Sequence, residues 1–144
     1  MGLQLPGELV EVISVLGFTW PEADEEKLFE LGQSWMDFAG AIESRVENAD
    51  AAAATVWQLN QSESIAAFQA AWQAADSPSQ RLAMAATGAQ IIGADLLVCA
   101  GIVLALKINV IAQLTILAIQ IAQAIATAVV SFGASLLEIR FSGR

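Results

Sequence analysis

Residues 57–64, Trp57-Gln58-Leu59-Asn60-Gln61-Ser62-Glu63-Ser64, interrupt a helical period that runs on both sides of them. Upstream, Leu28, Leu31, Trp35, Phe38, Ile42, Val46, Ala49, Ala53 and Val56 step by three and four, the spacing of a seam along which one helix packs on another. Downstream, Ile65, Phe68 and Trp72 resume it. The interruption is polar and rich in capping residues, so the chain turns there and the flanking stretches form a helical hairpin. The fold class follows: all-α, a helical hairpin extended by further apolar helices into a bundle.

Working outward, Thr19-Trp20-Pro21-Glu22 offers a capping Thr, a Glu three residues on and a proline in the first turn, which predicts a helix start at Pro21. Glu22, Asp24, Glu25 and Glu26 suit the positive end of its dipole better than a calcium site, which needs alternating oxygen ligands and a sharp glycine turn. Before it, Leu9 to Leu16 between Pro6-Gly7 and Gly17 reads as a short helix that must pack on a neighbour to persist. After the hairpin, Asp76-Ser77-Pro78-Ser79 breaks the chain and supplies caps for another helix starting near 79. From there to about 131 no proline occurs, and the stretch is either one very long helix or two segments meeting near Lys107-Ile108-Asn109. The expectation is one all-α domain over 1–144: a short helix in 1–20, an acidic hairpin in 21–76 and a long apolar region in 77–144.

Composition narrows the function. The chain has 144 residues, 56% of them hydrophobic, one Cys and no His or Tyr. A His-based triad, a Cys–His dyad, a zinc site and a disulfide framework all lack their parts, so no catalytic residue, cofactor or metal is expected. Net charge −9 without a basic patch argues against nucleic acid. Nothing points to a small-molecule substrate. Residues 1–76 hold thirteen of the fifteen acids and only Lys27 and Arg45, whereas Asp95 and Lys107 are the only charges in 82–137. An apolar run of that length with only two charges also suits a membrane. The N-terminus has no basic stretch leading into an apolar one, so a secreted or envelope-associated protein without a cleavable signal peptide is expected.

On a regular helix through 82–137, Asp95, Asn109, Gln113, Gln120, Gln123, Thr127 and Ser131 fall within an arc of about 80°, with Lys107 on the opposite side. Such a stripe is the solvent edge of a bundle helix or the inward face of a membrane assembly. Asp95 reads as exposed or paired sooner than as a pore acid. Cys99 reads as a small buried apolar residue, and Glu43, Glu47 and Asp50 as solvated acids. Trp35 and Trp72 read as packed side chains. Trp20 and Trp57 flank breaks, and Trp57 serves equally as a cap on the hairpin or as a groove for a partner.

Val56-Trp57 followed by Glu63-Ser64-Ile65-Ala66-Ala67-Phe68-Gln69-Ala70-Ala71-Trp72 resembles the hairpin region of the WXG (ESX) superfamily, small helical proteins exported by type VII secretion, with Leu59 where the motif has glycine. Leu5-Pro6-Gly7-Glu8-Leu9, Leu16-Gly17-Phe18-Thr19-Trp20-Pro21 and Lys107-Ile108-Asn109-Val110-Ile111-Ala112-Gln113-Leu114 are similar to the N-terminal domain of actinobacterial polymorphic toxins, one mycobacterial member of which is a membrane channel. The resemblance implies a non-enzymatic export or targeting domain ahead of a toxin domain, with a channel subunit as the alternative. Its partner is expected to be a helical-hairpin secretion protein or a second copy, met through Leu31, Trp35, Phe38, Ile42, Trp57, Phe68 and Trp72.

Overall fold

The computed structural model describes residues 2–142, with side chains to position 136. Four helices follow one another: α1 (Gly7–Leu16), α2 (Glu25–Leu59), α3 (Glu63–Gln73) and α4 (Pro78–Ser142). No strand occurs among the described residues. The fold is the expected all-α hairpin with a long apolar extension. The two readings left open for 79–131 resolve to a single helix, α4.

Local chemistry sets each boundary. α1 ends at Gly17, whose φ of 71° is left-handed. The N–H of Gly17 donates to the carbonyl of Ser14 at 3.3 Å and that of Phe18 to Ile13 at 3.2 Å, the pair of bonds that closes a helix through a glycine. α2 does not begin at Pro21. Its cap is Asp24, whose carboxylate accepts the N–H of Lys27 at 3.1 Å, and the expected Thr19–Glu22 box lies in non-helical chain. Asp24 binds the orphan donor as a charged acceptor, which a Thr hydroxyl does less strongly. Ser62 caps α3 by accepting the N–H of Ile65 at 3.1 Å, and Ser77 caps α4 by accepting that of Gln80 at 3.2 Å, with Pro78 in the first helical position.

The helices gather into two compact units. The first holds residue 2 and residues 24–102. Its interior is built from small side chains: Ala39 and Ala53 of α2 and Ala86, Ala89 and Ala100 of α4 are buried. Gly32 and Gly93 let the two backbones touch, since a Cβ added to Gly32 would lie 3.0 Å from the Gly93 carbonyl oxygen and 2.9 Å from Leu97 Cδ2. Of the seam read from the sequence, Ala53 lies in this interior, while Leu31 and Phe38 sit to one side of it. Leu31 and Phe38 are about half exposed, because the larger side chains would hold α2 and α4 apart.

The second unit holds residues 3–23 and 103–142. Leu9 and Ile13 of α1 bury against Leu114 of α4, ringed by Leu5, Val12, Trp20, Val110, Ile111 and Ala118. Lys107 is 2% exposed, its ammonium 5.8 Å from the centre of the Trp20 ring. It belongs to the packed side of α4, opposite the polar stripe.

Candidate functional site

Three surfaces carry the residues singled out in the sequence. The first is the closed end of the hairpin. Trp57 of α2 meets Phe68 of α3 with ring centroids 6.1 Å apart, and Phe68 meets Trp72 at 5.9 Å. The Trp72 indole N–H donates to Asp50 Oδ1 at 2.8 Å, and the Ser79 hydroxyl donates to the same oxygen. Asp50 is thus not the solvated acid the sequence suggests: half-buried, it ties α2, α3 and α4 together. Trp57 and Trp72 are half-buried on either side of Phe68, which keeps an exposed edge.

The second surface is the flank of α2 left outside the small-residue core. Leu31, Ser34, Trp35 and Phe38 line a shallow open groove of 210 Å³. Trp35 and Phe38 sit edge to face, centroids 5.9 Å apart and planes at 80°. Trp35 and Ile42 are half-buried beside the exposed Leu31 and Phe38. The Ser34 hydroxyl donates to the Glu30 carbonyl at 3.0 Å, so it offers the groove little polarity.

The third surface is the polar stripe of α4. Asp95, Asn109, Gln113, Gln120, Gln123, Thr127 and Ser131 are all exposed. The packed residues lie on the other side of the helix, Ala86, Ala89, Gly93 and Ala100 in the first unit, Lys107 and Leu114 in the second. Gln113 donates weakly to Asn109 at 3.5 Å, and the Thr127 hydroxyl bonds back to the Gln123 carbonyl at 2.8 Å. Beyond Ala118 the pattern changes, and every residue from 119 to 136 is exposed. Val130 and Phe132 are 71% and 69% exposed. Between α4 and the turn after α1, Phe18, Thr19, Gln113 and Gln120 help line an open depression of 440 Å³.

The acids do not assemble into a site. Glu43 accepts from the Gln90 side-chain amide, Asp50 is held as described, and no group of three or more Cys, Asp or Glu side chains among the described residues is placed to hold a metal ion. Glu25 is buried in the first turn of α2, and the bond from the Lys27 N–H draws the Asp24 carboxyl below its usual range. Cys99 is exposed rather than buried, because the face of α4 that meets α2 carries Gly93, Leu97 and Ala100 instead.

Sequence reasoning missed two features, the Asp50 tie and the Gly32–Gly93 contact. The second left a signal, since a glycine inside an otherwise strong helix often marks a close approach.

A family model described as the WXG100 like domain matches residues 4–140. No curated protein and no solved structure gives a significant match.

Proposed function

The chain belongs to the WXG100-like domain family, helical proteins associated with type VII secretion, and from that membership we propose that it is the non-enzymatic N-terminal export module of a secreted polymorphic toxin, working through helix–helix association. The observation that carries the reading is the division of α2 into two flanks. Its small residues already satisfy the contact with α4, while Leu31 and Phe38 stay outside with no role in the monomer's own core. An apolar flank of that kind is maintained by what covers it. The resemblance to polymorphic toxins supports the toxin assignment. Co-expression with small helical-hairpin proteins of type VII secretion tests the reading: a stoichiometric complex is expected, and a chain that stays alone under those conditions opposes it.

A second reading, a channel or pore subunit, is favoured by a different observation. Residues 108–137 carry no charge, and α4 is exposed on all sides from 119 to 136. A helix apolar over most of its circumference suits lipid, with the amide stripe turned toward a polar interior. In the first unit α4 is packed against α2, so the lipid-facing part in this reading is the distal end and not the whole of 82–137. Replacing Gln113 and Gln120 by Leu tests it: a pore loses conductance while its assembly is kept, and a bundle only becomes less soluble.

A further inference from the structure

Beside the aromatic end of the hairpin lies an open cavity of 390 Å³, walled by Asp50, Ala54 and Trp57 of α2, Trp72 and Gln73 of α3 and Gln80 of α4. All six residues belong to the first unit, and the volume is in the range of small-molecule sites. The fold uses only part of the Asp50 carboxylate. Oδ1 accepts both the Trp72 indole N–H and the Ser79 hydroxyl, whereas Oδ2 accepts no hydrogen bond from the described residues. An asparagine oxygen would accept the same two bonds, so the tie between helices explains neither the negative charge nor the second oxygen. No Lys or Arg lines the cavity, and the charge has no counter-ion there. The surrounding unit strengthens the pull on a cation, since residues 24–102 carry eleven acids against Lys27, Arg45 and Arg81.

We propose that this cavity binds a primary alkylammonium group, its N–H donors on Asp50 Oδ2 and the side-chain oxygens of Gln73 and Gln80, its alkyl stem against Trp57, Trp72 and Ala54. Indole rings attract cations as well as alkyl chains, so the wall suits both parts of such a ligand. The polar groups select among cations. A quaternary ammonium has no N–H to offer the carboxylate or the two amides. A guanidinium makes its strongest contact as a fork on both carboxylate oxygens, and Oδ1 is already taken by two donors. An ammonium is a compact charge with three donors, which one carboxylate oxygen and two amide oxygens match. A free amine and the side chain of a peptide lysine share this chemistry. The site uses none of the residues of the α2 flank and does not depend on the association reading above.

The four indole N–H resonances of the ¹⁵N-labelled full chain report the site directly. Butylammonium chloride is titrated at ~0.15 M salt, which screens the diffuse attraction of the acidic surface. The resonances of Trp57 and Trp72 should shift and saturate while those of Trp20 and Trp35 stay in place. Tetramethylammonium and the uncharged isostere butanol should each bind about tenfold more weakly, because each lacks part of the charge-assisted hydrogen bond. Asp50→Asn keeps an oxygen for Trp72 and Ser79 and should weaken butylammonium about tenfold; Gln73→Leu/Gln80→Leu, on two exposed side chains, should weaken it about threefold with helicity unchanged. Butanol binding as well as butylammonium, four indoles shifting together, or both variants binding like wild type overturns the proposal. Nα-acetyl-lysine methylamide separates the two sources: tighter binding than butylammonium assigns the site to a peptide lysine, and binding no tighter assigns it to a free amine.

Discussion

Gly32 of α2 and Gly93 of α4 meet backbone to backbone: a Cβ on Gly93 would lie 3.0 Å from the Gly32 carbonyl oxygen and 2.9 Å from the Met36 side chain. This contact lets α2 and α4 pack on alanine and glycine and leaves Leu31 and Phe38 of α2 outside. It also divides the helix-interior glycines into two classes.

Gly32→Ala and Gly93→Ala should each destabilise the chain by about 1–3 kcal/mol, because the added methyl would crowd the other glycine's carbonyl oxygen, which has nowhere to go, as well as the Leu97 or Met36 side chain. Gly40→Ala meets nothing within 4 Å and should instead gain roughly 0.5–1 kcal/mol from helix propensity. Urea midpoints measure both. A Gly32→Ala variant as stable as Gly40→Ala would show that α2 and α4 do not approach this closely.

Asp50 joins three helices through one carboxylate oxygen. Asp50→Ala should cost about 1.5–3 kcal/mol, since hydrogen bonds to a charged acceptor are lost and the Trp72 indole N–H is left half-buried without a partner. In a double-mutant cycle with Trp72→Phe the coupling should exceed ~0.5 kcal/mol. Strict additivity would mean that the bond makes no contribution.

The Asp24 carboxyl is held below its ordinary value of 3.8, chiefly by the Lys27 N–H it accepts. A carboxyl with a depressed folded-state value stabilises the fold fully above the unfolded value and loses that effect as pH falls through the folded one. The contribution should therefore be present above pH 3.8 and be lost as pH falls below it. Asp24→Asn retains a capping oxygen and should show a flatter acid limb in a pH series of melting curves; an unchanged limb would contradict the capping role.

Leu114 is the α4 side of the small core that holds α1. Leu114→Ala should cost about 2–5 kcal/mol in that unit and speed amide exchange throughout α1, which is too short to persist unpacked. Protection in α1 equal to wild type would show that Leu9 and Ile13 have other support.

The sequence reading reached the helices, the hairpin turn and the opposition of Lys107 to the polar stripe, because each rests on residues close in the chain or on one helical period. It placed the start of α2 too early because Thr19-Trp20-Pro21-Glu22 satisfies a local capping rule, while Trp20 is engaged in the second unit beside Lys107. It misjudged Asp50 and Cys99 for a related reason. Which side of a helix is buried depends on the neighbour, and a seam of mainly large apolar positions shared only Ala53 with a core made of glycine and alanine. The exposed edge from Leu31 to Phe38 was legible as an apolar stripe, but its freedom became visible only once α4 was seen to pack elsewhere.

The central claim is that the Leu31–Phe38 flank of α2 binds another helical protein. The most direct measurement is size-exclusion chromatography with light scattering, in detergent-free buffer, on the chain co-expressed with small helical-hairpin proteins of type VII secretion, as wild type and as Leu31→Ser/Phe38→Ser. The account predicts a wild-type complex heavier than the 15.1 kDa chain by the mass of its partner, and a variant of equal helicity that elutes without it. A wild-type chain that remains at its own mass, or a complex indifferent to the two substitutions, would contradict the claim.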